Sequence, residues 1–291
     1  MRRRRIWSEL LPLAEVGSPP VLRLLSRYGL ELCVAVRPET LADLPALCRA
    51  AASAGVPLAV WPMIADEAGR WASAANAAPF CAFIEEALGA LAAEGLHARE
   101  IVFDMEPPLP LVRHALAGAD GLWKLLRRAD AGADAGADAG ADAGAHAAYR
   151  DFVAALHARG IASTAAIVPF LLRDGPERGW EQTLGTPVSR VGFQAVHAML
   201  YTSMLEGWSR GALRRADGLS LLAWGCRAAR RRFGQAAGVS LGVVGVGALG
   251  DEPIYDRVDD LRQDVATACA AGIEDLALFD LGGVLARPPP E

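Results

Sequence analysis

The sequence predicts a single (β/α)8 barrel occupying residues 1–291. Three observations carry the prediction. Short apolar runs alternate with longer helical patterns along nearly the whole chain, the signature of repeated β-α units around a parallel sheet. The runs number eight, with helical stretches in the crossovers, which fits a closed barrel better than a doubly wound sheet. No run leads into a glycine-rich dinucleotide turn, and Gly245, Gly247 and Gly250 are too irregularly spaced for a phosphate loop.

Taken in order, strands are expected near 10–15, 30–36, 57–63, 100–105, 161–168, 192–201, 239–246 and 274–280. Helices are expected near 20–28, 40–54, 77–95, 115–128 continuing at 146–159, 207–235 and 256–271. The fifth connection, around 174–188, is helix-poor. The fourth crossover carries an Ala-Asp-Ala-Gly repeat with Asp130, Asp134, Asp138 and Asp142 four apart and glycines at the same spacing. In a helix each glycine would cost about 1 kcal/mol relative to alanine and the aspartates would repel, so residues 129–145 are expected to be a disordered insertion. The spacing is not that of a calcium-binding EF-hand loop.

Composition excludes some classes of function. A chain of 291 residues at 53% hydrophobic content can bury a large core, and no uninterrupted apolar run approaches the ~20 residues of a membrane-spanning helix. The net charge of -5 argues against general nucleic-acid binding. The five cysteines are dispersed and lack the close pairs of a zinc site, so buried free thiols are expected, with no metal and no cofactor. Arg2 to Arg5 are basic, but Ser8, Glu9 and Pro12 interrupt any apolar signal core. The expected location is cytoplasmic as written, or exported if the true start lies upstream. Oligomeric state is not legible.

The most informative segment is Ile101-Val102-Phe103-Asp104-Met105-Glu106-Pro107-Pro108. Alternate strand residues share a face, so Asp104 and Glu106 should project together. The prolines cannot continue a ladder, so the strand should stop there and present both acids at its carboxyl end, where parallel barrels do their chemistry. Two neighbouring, partly buried acids favour one protonated and one ionised group, with Glu106, nearer the rim, as the acid. The other strand ends add Glu15, Arg37, Trp61, Tyr201 and Asp280, and the third loop adds Trp71. Carboxylates handle hydroxyls and protons while aromatic rings stack on sugar faces, so this mixture suits a carbohydrate substrate. Trp61 and Trp71 also fit a plain core or lid role, and His197 should lie deeper as a core histidine.

These pieces resemble family-18 glycoside hydrolases, chitinase-like barrels whose fourth strand ends in Asp-x-Asp-x-Glu and whose sixth often carries Met-x-Tyr-Asp. The matching residues are Asp104-Met105-Glu106 and Met199-Leu200-Tyr201-Thr202. The resemblance implies that Glu106 protonates the leaving oxygen, Asp104 orients the substrate's N-acetyl group for attack on the anomeric carbon, and Tyr201 helps hold that group. The loop from Trp61 through Trp71 to Asn76 is similar to the glycan-facing third loop of such barrels. Arg99, Val102 and Thr202 stand where the family has aspartates, so the expected relative is a distant one with altered substrate or mechanism.

Three other readings stay open. A two-carboxylate retaining glycosidase needs a nucleophile about 5–5.5 Å from Glu106. Val246-Gly247-Ala248 supplies none and Asp251 and Glu252 arrive late, leaving Asp280 or Glu15. A metal-dependent sugar isomerase or epimerase would have to recruit Asp104, Glu106, Asp280 and His197. A catalytically silent glycan-binding barrel would keep the rim without the acid's environment.

Overall fold

Eight strands follow the chain: β1 (Arg3–Ser8), β2 (Glu31–Val36), β3 (Leu58–Pro62), β4 (Glu100–Met105), β5 (Ala162–Ile167), β6 (Ala195–Met199), β7 (Ala237–Gly242) and β8 (Asp275–Phe279). In the computed structural model they close in sequence order into a parallel barrel, the (β/α)8 fold. The structure describes residues 3–109, 138–173, 179–209 and 211–287. Over these residues the helices are α1 (Leu13–Val16), α2 (Pro19–Tyr28), α3 (Leu44–Ser53), α4 (Ala77–Ala93), α5 (Asp138–Ala158), α6 (Trp180–Leu184), α7 (Thr202–Trp208), α8 (Arg215–Phe233), α9 (Val258–Ala270) and α10 (Leu281–Ala286). None of them is long and apolar enough to cross a membrane. The expected helix at 115–128, Asp130, Asp134 and residues 174–178 of the fifth connection lie outside the described residues.

Two compact units share the barrel. The first holds β1, β6, β7 and β8 with most of β2, and the second holds β4, β5 and most of β3. In the first unit the strand faces build layers. Arg5, 2% exposed, donates from Nε to Asp275 at 2.9 Å, and His197 Nε2 lies 3.2 Å from the same carboxylate. Gly238 stands in register with His197, and a β-carbon there would meet the imidazole at 2.4 Å, so only glycine leaves room for the buried ring. One layer up, Trp7 Nε1 donates to Ser240 Oγ at 3.0 Å. His197 is thus a buried core histidine, as its place in strand six implies.

The first strand is corrected. It runs from Arg3 to Ser8 rather than 10–15, because Arg3 pairs with Glu31 and Arg5 with Asp275, which lets a basic run enter the sheet. Residues 13–16 form α1 instead. The expected helix at 207–235 is two helices: the chain turns at Gly211 (φ 86), and Asp217 accepts from the Arg214 N–H at 2.9 Å to start α8. The repeat is also corrected in part, since α5 begins at Asp138 and residues 138–145 are helical rather than disordered. Alanine is the best helix former and supplies the propensity that offsets Gly140 and Gly144.

In the second unit α4 buries Phe80, Phe83, Ile84, Ala87, Leu88 and Leu91, one stripe at helical spacing. Phe103 of β4 receives this layer, with ring centroids 6.2 Å from Phe80, 6.1 Å from Tyr149 and 5.3 Å from Phe193. The cysteines are free thiols, Cys33 and Cys226 buried and the others half-buried, and burial pushes Cys226 up to about 12.

Burial alone would raise the Asp275 carboxyl, but His197 and Arg5 outweigh it and hold the group well below the usual carboxylate range. A depressed folded value contributes stability above the unfolded value, about 3.9, that is lost as pH falls below it. The stability of wild type to denaturant should therefore fall as pH drops below about 4, and Asp275→Asn should flatten that dependence. At neutral pH, Asp275→Ala should cost about 3–5 kcal/mol, because it removes the carboxylate that the buried Arg5 and His197 share.

Candidate active site

Phe103 points into the helix layer, so parity along β4 sets Val102 and Asp104 on the opposite face, followed by Glu106 just beyond the strand. The strand ends at Met105, before Pro107 and Pro108, as the missing proline amides require. Asp104 is 2% exposed and Glu106 is half-buried. Asp104 stands in register with Ala166 of β5.

The loop between β3 and α4 is built onto this strand end. Ala72 N–H donates to the Asp104 carbonyl at 2.9 Å and bridges to Met105, so the loop briefly extends the sheet. Asn76, buried, organises the turn: its Oδ1 accepts from Ser73 N–H at 2.9 Å, and its Nδ2 donates to the carbonyls of Ala68 at 3.0 Å and Trp71 at 2.8 Å. From α5, Tyr149 Oη donates to the Ser73 carbonyl at 3.0 Å, and burial pushes that phenol far above its usual range. Arg70 donates to Asp66 at 2.8 Å within the same loop.

Trp61 and Trp71 are 4% and 5% exposed, as a core or lid role has it, and neither presents the open ring face of a sugar platform. Arg37 is half-buried after β2, its backbone N–H donating to Thr40 Oγ1 at 3.0 Å. Asp104, Glu106, Trp61, Trp71 and Arg37 all belong to the second unit.

Tyr201, Asp280 and Glu15 belong to the first unit. Tyr201 is half-buried at the start of α7, its ring 5.8 Å from Phe279 at a 40° tilt. Asp280, 2% exposed, caps α10 by accepting from Gly283 N–H at 2.9 Å. Its carboxyl is raised, chiefly by burial, with Glu252 adding to the push against the backbone N–H groups of Gly282 and Gly283. Glu15 is exposed on α1 and does not follow a strand. The acid at the end of β1 is Glu9, 8% exposed. Correct placement of β1 would have found it, whereas Glu252, 8% exposed and ten residues past β7, follows no strand pattern. Among the described residues no three His, Cys, Asp or Glu side chains converge to hold a metal ion.

No protein-family model matches the chain, and no curated protein matches it in sequence. Solved structures do match in shape. The PgaB (BpsB) glycoside hydrolase domain from Bordetella bronchiseptica aligns over 99% of this chain and 96% of its own, at 14% identity and a TM-score of 0.60. The spore cortex-lytic enzyme SleL of Bacillus megaterium QM B1551 aligns over 97% and 71%, at 11% identity and a TM-score of 0.53. A double mutant of the Cellulomonas fimi endo-beta-1,4-mannanase aligns over 96% and 65%, at 14% identity and 0.52. The chain shares the (β/α)8 barrel fold of these proteins. At these identities the likeness is one of fold.

Asn76→Ala removes three hydrogen bonds from a buried turn and should lower stability by about 2–3 kcal/mol in denaturant unfolding. A loss below about 0.5 kcal/mol would show that the turn holds without it.

Proposed function

We propose that the chain is a glycosidase-like enzyme that cleaves a glycosidic bond by acid catalysis from the end of β4. The reading rests on one observation above all: a fully buried Asp104 followed, on the same face and at the carboxyl end of the strand, by the half-buried Glu106. Glu106, the group nearer the rim, is the general acid, and the neighbouring Asp104 opposes a second negative charge beside it. As the bond breaks, the proton passes from Glu106 to the leaving oxygen, and the ionised Asp104 stabilises the positive charge that develops on the sugar ring.

The glycoside-hydrolase-like barrel supports a carbohydrate as the substrate. The family-18 resemblance adds the finer reading. Asp104 would orient an N-acetyl group whose carbonyl oxygen attacks the anomeric carbon. Val102 in place of the motif's inner aspartate makes Asp104 the sole acid behind Glu106 on this strand face above Glu100. A metal-dependent epimerase finds no ligand cluster among the described residues.

Turnover of aryl glycosides with and without N-acetyl groups, in the presence of EDTA, tests the reading. Glu106→Gln cannot supply a proton and should lower kcat about 10²- to 10⁴-fold, with Asp104→Asn also impaired. Full activity in Glu106→Gln would refute the assignment. Saturable glycan binding without turnover by wild type would identify a silent binding barrel.

A further inference from the structure

A second group of acids lies in the first unit, around the loop that follows β7. A β-carbon on Gly245 would meet Asp280 Oδ1 at 2.4 Å, and one on Gly247 would meet Glu9 Oε2 at 2.9 Å and Phe279 Cζ at 2.8 Å. Both carboxylates therefore press against bare backbone, and side chains on the loop would displace them. Glu252 joins them from the same loop. Its Oε1 accepts from Leu249 N–H at 2.9 Å, while its Oε2, buried, has no hydrogen-bond partner among the described residues.

A buried carboxylate oxygen without a donor is costly, and the cost is removed by a ligand that brings one. The Tyr201–Phe279 pair provides an apolar wall beside the acids, since Phe279 reaches Gly247 and Tyr201 reaches Gly242. Exposed Leu10 and Val246 flank this loop and the end of β1 in sequence. Carboxylates next to an aromatic wall match a sugar ring, whose edge donates hydroxyls and whose face is apolar. Burial favours a proton on Asp280 and lowers the charge of the group, which suits neutral hydroxyl donors over a full cation.

We infer that Glu9, Glu252 and Asp280, with Tyr201 and Phe279, form a subsite for a neutral saccharide ring, with Glu252 Oε2 accepting a ring hydroxyl. The inference rests on the carbohydrate reading above and extends it to a binding group that the acid chemistry does not use.

The experiment is calorimetric titration of the full chain with mannotriose, cellotriose, tri-N-acetylchitotriose and the de-N-acetylated chitotriose. Wild type and Glu252→Gln are compared, with thermal unfolding to check the fold of the variant. A neutral trisaccharide should bind wild type and bind Glu252→Gln about ten- to a hundredfold more weakly, as expected for a hydrogen bond to a charged group. Should the variant not fold, monodeoxy derivatives of the bound trisaccharide, titrated into wild type, should show the same loss at one hydroxyl and little at the others. Unchanged affinity in Glu252→Gln, equal affinity of every deoxy derivative, binding of the cationic trisaccharide alone, or no binding of any probe would each overturn the subsite. Loss of turnover in Glu106→Gln beside unchanged affinity in Glu252→Gln would remove this inference and leave the catalytic reading. The reverse pattern would do the opposite.

Discussion

The buried contact among Arg5, Asp275 and His197 is the constraint on which the first unit is organised. A guanidinium taken out of water must keep a carboxylate within reach, so Arg5 fixes β1 against β8 in a register that a sliding strand would break. His197, held at the same carboxylate, leaves no space for a side chain on Gly238 and so settles β6 against β7. Since strand residues alternate, that bottom layer dictates the ones above it: Trp7 and Ser240 next, and Glu9, Phe279 and Tyr201 toward the carboxyl ends. The charges at one end of the strands thus determine which side chains emerge at the other.

The second unit reaches the same end by different means. There the helix layer grips β4 through Phe103, and parity then leaves Asp104 no alternative but the opposite face. The loop from Met63 to Asn76 adds rigidity through its own amide groups, with Asn76 and Tyr149 satisfying the turn's backbone. On the proposed acid-catalysis reading, an acid held by its strand and by this loop does not have to be ordered when substrate arrives, which is the condition for electrostatic catalysis.

Strand β4 was legible because its signal is local: an apolar run, two acids and two prolines. Strand β1 was not, because the basic run Arg2 to Arg5 has no apolar strand pattern and the partners of Arg3 and Arg5, Glu31 and Asp275, are 28 and 270 residues away. That single misplacement moved the first candidate acid from Glu9 to Glu15. Trp61 and Trp71 were left between a core or lid role and a sugar platform, since a tryptophan in either place has the same sequence. Glu252 belongs to no strand, and it is the fold of the β7 loop that brings it near Asp280. The break between α7 and α8 lies at a glycine that helical periodicity alone tolerates.

Helix α5 has a consequence for how this chain can change over generations. Among the described residues, contacts that fix it in the second unit come from its later part, among them His146 to Glu181, Tyr149 to Ser73, Phe152 to Phe103 and His157 to Ser163. The Ala-Asp-Ala-Gly units precede those anchors. Tandem repeats in a gene gain and lose copies by slippage, and a four-residue unit adds about 6 Å of helix upstream of the anchors without altering their register to one another. The repeat is therefore a place where length can drift while Tyr149, and the loop it holds beside Asp104, stay in place.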